Sequence, residues 1–260
     1  MAVIKEWILP ELTMESWRLL DLEYSDPYLN MAVEEAILIA ADKRLSSNTI
    51  RFWRNPRSVI LGRFQDVFCE VKLKICDKYG IEVVRRFTGG GAVYHDYGNL
   101  NWTIVVDKKH PLVPKIPTEI YEVVSKAVIE GIRFLGINAN FKSPNAIQVR
   151  GRKISGLASY IKKNAILCHG TLLVNSNLSV LSEVLSRPRA EVTTLHHELN
   201  KYIPMSLMKG LILLGFSKLY GIVPKLEKLN NYEERIAQIL YYKKYVTKEW
   251  NSGANLNMYL

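Results

Sequence analysis

Two apolar periodicities alternate along this chain, one of about two residues and one of about 3.6, and they predict strands interleaved with amphipathic helices. Trp17 to Leu22 reads as an opening strand. Ser25-Asp26-Pro27 supplies a capped helix start, and Met31, Ala32, Ala36 and Leu38 then recur at helical spacing up to about Ala41. Thr49–Trp53 and Ser58–Gly62 read as strands joined by a turn at Arg54-Asn55-Pro56-Arg57. Lys72–Tyr79 is a short helix closed by Gly80, and Ile120–Leu135 a longer one stopped by Gly136. Glu82-Val83-Val84, Ala92-Val93-Tyr94 and Leu100–Val106 read as further extended segments. Ala146–Val149 and Lys153–Tyr160 form a hairpin about Arg150-Gly151-Arg152, and Ala165–Val174 returns as another strand. Beyond Leu178 the pattern is helical, near Val180–Leu185, Ser206–Tyr220 and Tyr232–Tyr242. Strands mixed with flanking helices predict an α/β or α+β chain with a mostly antiparallel central sheet.

At 260 residues and 48% hydrophobic content the chain can bury a substantial core, and its 23% charged residues argue against extended disorder. The net charge of +10 favours acidic partners. The charges are scattered, without a basic block or an aromatic–basic stripe, so a nucleic-acid-binding protein is a weak alternative. Cys69, Cys76 and Cys168 have no metal-ligand or CxxC spacing and suit a reducing interior. No signal peptide is evident, and Lys209 and Lys218 interrupt the apolar run at 207–220. These features predict a cytoplasmic protein with no membrane partner.

Arg85-Arg86-Phe87-Thr88-Gly89-Gly90-Gly91-Ala92-Val93-Tyr94-His95-Asp96 stands above the background. Three consecutive glycines bare the backbone N–H groups and admit positive φ, so this loop can wrap an anion, with two arginines ahead of it. An exposed hairpin is the plain alternative. No Walker lysine or dinucleotide fingerprint accompanies the loop. In Gly151-Arg152-Lys153-Ile154-Ser155-Gly156, Lys153 is either a fixed point charge facing a pocket or an ordinary hairpin lysine. His169, beside Gly170, either lines a cleft or is a satisfied core histidine. Cys168 should face away from His169, since neighbours on a strand point oppositely, and reads as a buried inert thiol. Asn30, Glu34 and Glu35 reach toward a site or complement a helix dipole. Arg187-Pro188-Arg189 through Leu195 reads as a closing loop or a solvated connector.

Together these segments, with Trp17-Arg18-Leu19-Leu20, Asp26 through Glu35, Gly98-Asn99 and His169-Gly170-Thr171-Leu172-Leu173, resemble the lipoate–protein ligase A family within the biotin/lipoyl attachment group. The tail, Lys243-Lys244-Tyr245 with Glu249 to Gly253, resembles that of the short archaeal-type ligases. The resemblance implies a class II biotin/lipoyl ligase-like catalytic domain over residues 1–260, with a helical extension at 222–260. It also implies activation of lipoate by ATP and Mg²⁺ to lipoyl-AMP. The lipoyl group then passes to a lysine of an acidic carrier domain, of the 2-oxoacid dehydrogenase E2 or glycine cleavage H protein type.

Carried over by position, Lys153 would bridge the lipoyl carbonyl and the α-phosphate as the catalytic residue. Arg86, Phe87, Thr88, Gly89, Gly90, Gly91, Ala92, Val93, Tyr94 and His95 would wrap the substrates, with Gly156, His169 and Gly170 adjoining. Asn99 and Asn145 are further candidates; the metal ligands are undefined, because Ala146 stands where ligases carry a carboxylate. Too little chain follows 253 for the accessory domain of longer ligases, which implies a separate small accessory subunit. The rival within the same fold is an octanoyl or lipoyl transferase, with or without a cysteine nucleophile. Its cysteine would sit in Ala139–Ala146 or Ser186–Val192, and neither stretch contains one.

Overall fold

The computed structural model describes residues 14–186 and 190–253. In chain order come β1 (Glu15–Asp21), α1 (Pro27–Asp42), β2 (Thr49–Trp53), β3 (Ser58–Leu61), α2 (Val67–Glu70), α3 (Leu73–Tyr79), β4 (Glu82–Arg85), β5 (Val93–His95) and β6 (Asn99–Asp107). There follow α4 (Ile120–Arg133), β7 (Ala139–Lys142), β8 (Ala146–Val149), β9 (Arg152–Ile161), β10 (Ala165–Leu173), α5 (Leu178–Val184) and α6 (Leu195–Leu199). The chain then forms α7 (Met205–Tyr220), β11 (Ile222–Leu226), α8 (Asn231–Leu240), a π-helical turn (Tyr241–Tyr245) and α9 (Lys248–Ser252). Local chemistry sets several of these boundaries. Asp26 caps α1 by accepting from Tyr28 N and Leu29 N, with Pro27 in the first turn. Asn230 and Glu233 form a reciprocal capping box on α8.

Eight strands form one sheet in the order β11-β1-β2-β6-β10-β9-β8-β7. It is antiparallel from β2 to β7, while β1 runs parallel to both of its neighbours. A smaller sheet, β4-β3-β5, stands beside it. One face of the large sheet packs Phe52, Trp102, Ile104 and Ile166 against Val124, Val128, Ile212 and Phe216 of α4 and α7. The other face packs Val105 and Leu167 against α1, α8 and the aromatic pair Tyr245 and Trp250. The small sheet closes a third cluster with Leu181 and Val184 of α5. The expected mixed α/β fold with its mostly antiparallel sheet is therefore present.

Two strands depart from the expected pattern. β7 and β11 are four and five residues long, and in β11 only Ile222 is buried. Residues 222–226, expected to be helical, extend the sheet because their backbone pairs with β1, with Val223 and Leu226 left exposed at its edge. Among the described residues no helix is long and apolar enough to cross a membrane.

Candidate active site

The two arginines before the glycine loop both donate to backbone carbonyls. Arg85 is fully buried, and its guanidinium donates to the carbonyls of Gly62, Arg63, Gln65, Trp250 and Asn251. Arg86 donates to Thr88 Oγ1 at 3.1 Å, to Ile60 O, and to the loop carbonyls of Gly89 and Gly91 at 2.6 and 2.9 Å. Burial pushes its guanidinium down to about 10. It cross-braces the loop from inside. Gly90 sits at φ +94°, and a methyl group on Gly62 would lie 1.9 Å from the Gly90 carbonyl oxygen, so the two backbones meet without side chains between them.

Lys153 arrives from the large sheet. Arg150 and Gly151 both have positive φ, the requirement of a tight two-residue hairpin, and they return β9 alongside β8. The backbone of Lys153 is held by Glu191 O at 2.8 Å and by Thr193 N at 3.0 Å. Its side chain folds over Gly156, where an added methyl would lie 2.8 Å from Nζ.

The two structures face a common cavity of about 490 Å³. Arg86, Gly90, Gly91 and the run Ala92 to His95 line it; so do Lys153, Gly156, His169, Gly170 and Asn145. Phe87, Thr88 and Asn99 are buried and, like the partly exposed Gly89, do not line it. Phe87 packs edge-on against Tyr160, and Asn99 donates to Asn101 Oδ1. Thr88 and Gly89 bond Arg86 as above. Arg187, Pro188 and Arg189 lie outside the described residues, while Ala190 and Val192 beyond them line the cavity.

Behind the wall runs a buried polar network. Glu34 accepts from Arg51 Nη1 at 2.8 Å, from Thr103 Oγ1 at 2.8 Å and from His169 Nδ1 at 3.1 Å. His169 Nε2 meets Thr88 Oγ1 at 2.8 Å, which joins the network to Arg86 and the loop. Burial alone would raise the Glu34 carboxyl, but its hydrogen bond with His169 and the Arg51 charge outweigh it and keep the group below its ordinary range. His95 contacts Asn55 through Nδ1 at 3.1 Å. Burial, together with the Arg86 charge, pushes its imidazole down to about 3, so the ring is neutral.

None of the three cysteines lines the cavity. Cys168 faces the α4/α7 core, opposite His169, and burial drives its thiol far above the ordinary range. Arg51 and Asn55 were not legible as site residues. An arginine in the short run Thr49-Ile50-Arg51-Phe52-Trp53, between buried aromatics, was the available signal.

The Lipoyl protein ligase A/B catalytic domain family matches residues 26–217. The chain belongs to this family. The octanoyltransferase LipM of Geobacillus kaustophilus is 30% identical over 276 residues, which cover 92% of this chain and 99% of that protein. Two Thermoplasma acidophilum structures superpose over 92% of this chain. One is a bipartite lipoate protein ligase with its E2 lipoyl domain (TM-score 0.82, 33% identity, 97% of that chain); the other, a lipoate protein ligase homologue, has lipoic acid bound (0.83, 32%, 99%). A lipoate-protein ligase A bound with ATP superposes at TM-score 0.84 with 32% identity, covering 92% of this chain and 99% of that one. Family members thus include ligases and octanoyltransferases, and this chain is an enzyme of that lipoyl-attachment group.

Proposed function

We propose that this chain, residues 1–260 acting as one catalytic unit, is an ATP-dependent lipoate–protein ligase. The observation that carries this reading is that Lys153 and the three-glycine loop share one cavity, to whose wall no cysteine contributes. The first step brings two anions together. A lipoate carboxylate oxygen bonds to the α-phosphorus of ATP, the bond to pyrophosphate breaks, and the Lys153 ammonium offsets the charge accumulating between them. In the second step a neutral carrier lysine attacks the acyl carbon, AMP leaves with the C–O electron pair, and the amine gives its proton to solvent. The cavity's apolar lining, including Met31, Trp53, Ile60 and Leu157, suits the aliphatic part of the acyl group. Lipoate and ATP are bound by the neighbouring structures named above, which supports both as substrates.

A protein-held Mg²⁺ fits less well. Glu70 is the one carboxylate among the described residues of the wall, and no cluster of three or more metal-ligating side chains occurs among the described residues. Mg²⁺ would enter on the nucleotide phosphates, and no step here depends on a protein ligand for it. An acidic lipoyl domain as acceptor and a small accessory subunit are proposed by similarity to the bipartite Thermoplasma ligase. Three unpaired cysteines suit work in the reducing cytoplasm.

ATP–pyrophosphate exchange tests the reading. Lipoate-dependent exchange by the chain, alone or with an accessory subunit, is expected, and it should survive replacement of all three cysteines by serine. Extensive similarity to LipM favours the second reading, an octanoyltransferase. Transfer from an octanoylated carrier without ATP, lost with a single cysteine, would establish it and overturn the ligase.

A further inference from the structure

The histidine at the end of the glycine loop is wired to a buried arginine through two asparagines, and each link can be written in only one direction. Arg51 is a donor only, and its Nη2 gives a hydrogen bond to Asn30 Oδ1 at 3.0 Å. Tyr24 N donates to the same oxygen and Tyr24 O accepts from Asn30 Nδ2, so the backbone fixes this amide the same way round. Asn30 Nδ2 donates to Asn55 Oδ1 at 2.8 Å. Asn55 Nδ2 is therefore the group facing His95 Nδ1 at 3.1 Å, and Nδ1 must accept. We propose that Arg51, Asn30 and Asn55 lock His95 in the Nε2–H tautomer, so that it presents one fixed N–H donor to a carboxylate or phosphate oxygen of the cavity's ligand.

The ring lines the cavity and is 2% exposed, and its Nε2 has no partner among the described residues. Asn101, on the same wall and equally buried, also has its amide nitrogen unpartnered. Two buried donors without a partner, on residues that line one cavity, are costly unless a ligand oxygen completes them. His169, which lines the same cavity, is held differently. Both of its ring nitrogens have partners within the frame: Nδ1 meets Glu34, and Nε2 meets Thr88 Oγ1, which also accepts from Arg86. One histidine braces the frame; the other is kept as a donor. Asn30, Asn55 and Arg51 act as positioning residues, through His95.

The identity of the ligand rests on the ligase reading; the tautomer does not. In protein labelled with ¹⁵N-histidine, two-bond ¹H–¹⁵N correlation should give the Nε2–H pattern for His95, assigned by its loss in His95→Gln. Asn55→Asp reverses the polarity of the last link, because a carboxylate can only accept, and should move the proton to Nδ1. Turnover should fall at least tenfold in this variant. His95→Gln, whose amide can replace the Nε2 donor, should retain more activity than His95→Leu. Calorimetry with lipoate alone and with ATP alone distinguishes a carboxylate acceptor from a phosphate one. An Nδ1–H tautomer in the wild type overturns the proposal, even if Asn55→Asp fails to fold. So does a reversed tautomer with unchanged binding of both ligands and unchanged turnover. A wild type that binds neither lipoate nor ATP sinks the ligase reading, while the wild-type spectrum still judges the relay.

Discussion

Both walls of the cavity carry cations: beside the glycine loop, arginines tie backbone carbonyls together, and from the hairpin a lysine brings its ammonium to the cavity. Arg85 donates to five carbonyls, of Gly62, Arg63, Gln65, Trp250 and Asn251, and Arg86 to three carbonyls and a threonine. Lys153 instead rests its ammonium over a residue with no side chain, at the cavity surface. A planar guanidinium with five donors can tie several strands of backbone together, whereas an ammonium on a flexible stem is a movable point charge. Fixed arginines thus shape a cradle of bare N–H groups, and a lysine from the other sheet brings charge to what lies in it.

The largest separation between the walls should come from removing each cation. Lys153→Ala is expected to lower lipoate-dependent pyrophosphate exchange by roughly 10²–10³-fold, the range for deleting one preorganised electrostatic donor. Its melting temperature should stay within a few degrees of wild type. Arg86→Met should lose activity as well, but with a stability loss of about 3 kcal/mol, because the buried carbonyl of Ile60 and the partly buried ones of Gly89 and Gly91 lose their donor. Denaturant melts beside exchange rates read both quantities. Equal stability losses in the two variants would erase the distinction.

A smaller effect is expected from crowding the lysine rather than deleting it. In Gly156→Ala the new methyl would lie 2.8 Å from Nζ, so the ammonium must move by a fraction of an ångström or more. Displacement of about 1 Å in a catalytic group can cost roughly a hundredfold, so a fall of roughly tenfold in rate is expected, with stability within about 0.5 kcal/mol of wild type. An unchanged rate would mean that the ammonium already works from another position.

How far the sequence disclosed this division depends on what each residue needs from distant parts of the chain. The glycine run, the Arg150-Gly151 turn and the helix cap at Asp26 are local, so they were legible. That Lys153 and Gly90 line one cavity was implied only by the family resemblance, since β9 and the small sheet are joined only through the fold. The bracing partners of Arg85 and Arg86 were not legible either, because basic residues beside a glycine loop look alike whether their partners are phosphates or carbonyls. Their partners include Trp250 and Asn251, more than 160 positions away. Asn55 read as a turn residue because an Asn-Pro pair ends a strand in any case, and its part in orienting His95 exists only once Asn30 is folded against it.

That long-range tie gives the smallest and most selective perturbation of the loop wall. Asn251 accepts from Arg85 N at 2.9 Å through Oδ1, and its Nδ2 donates to the carbonyls of Tyr245 and Thr247. Asn251→Ala leaves the Arg85 amide without that partner, a loss of roughly 1–3 kcal/mol if water cannot replace it. The Arg85 guanidinium would still hold Gly62, Arg63 and Gln65, so the cradle should keep its shape. Urea melts are therefore expected to show destabilisation, with the exchange rate under folding conditions reduced no more than about threefold. A loss of activity as deep as that of Lys153→Ala would place the C-terminal helix α9 among the elements that shape the reacting geometry, rather than among those that merely secure the wall.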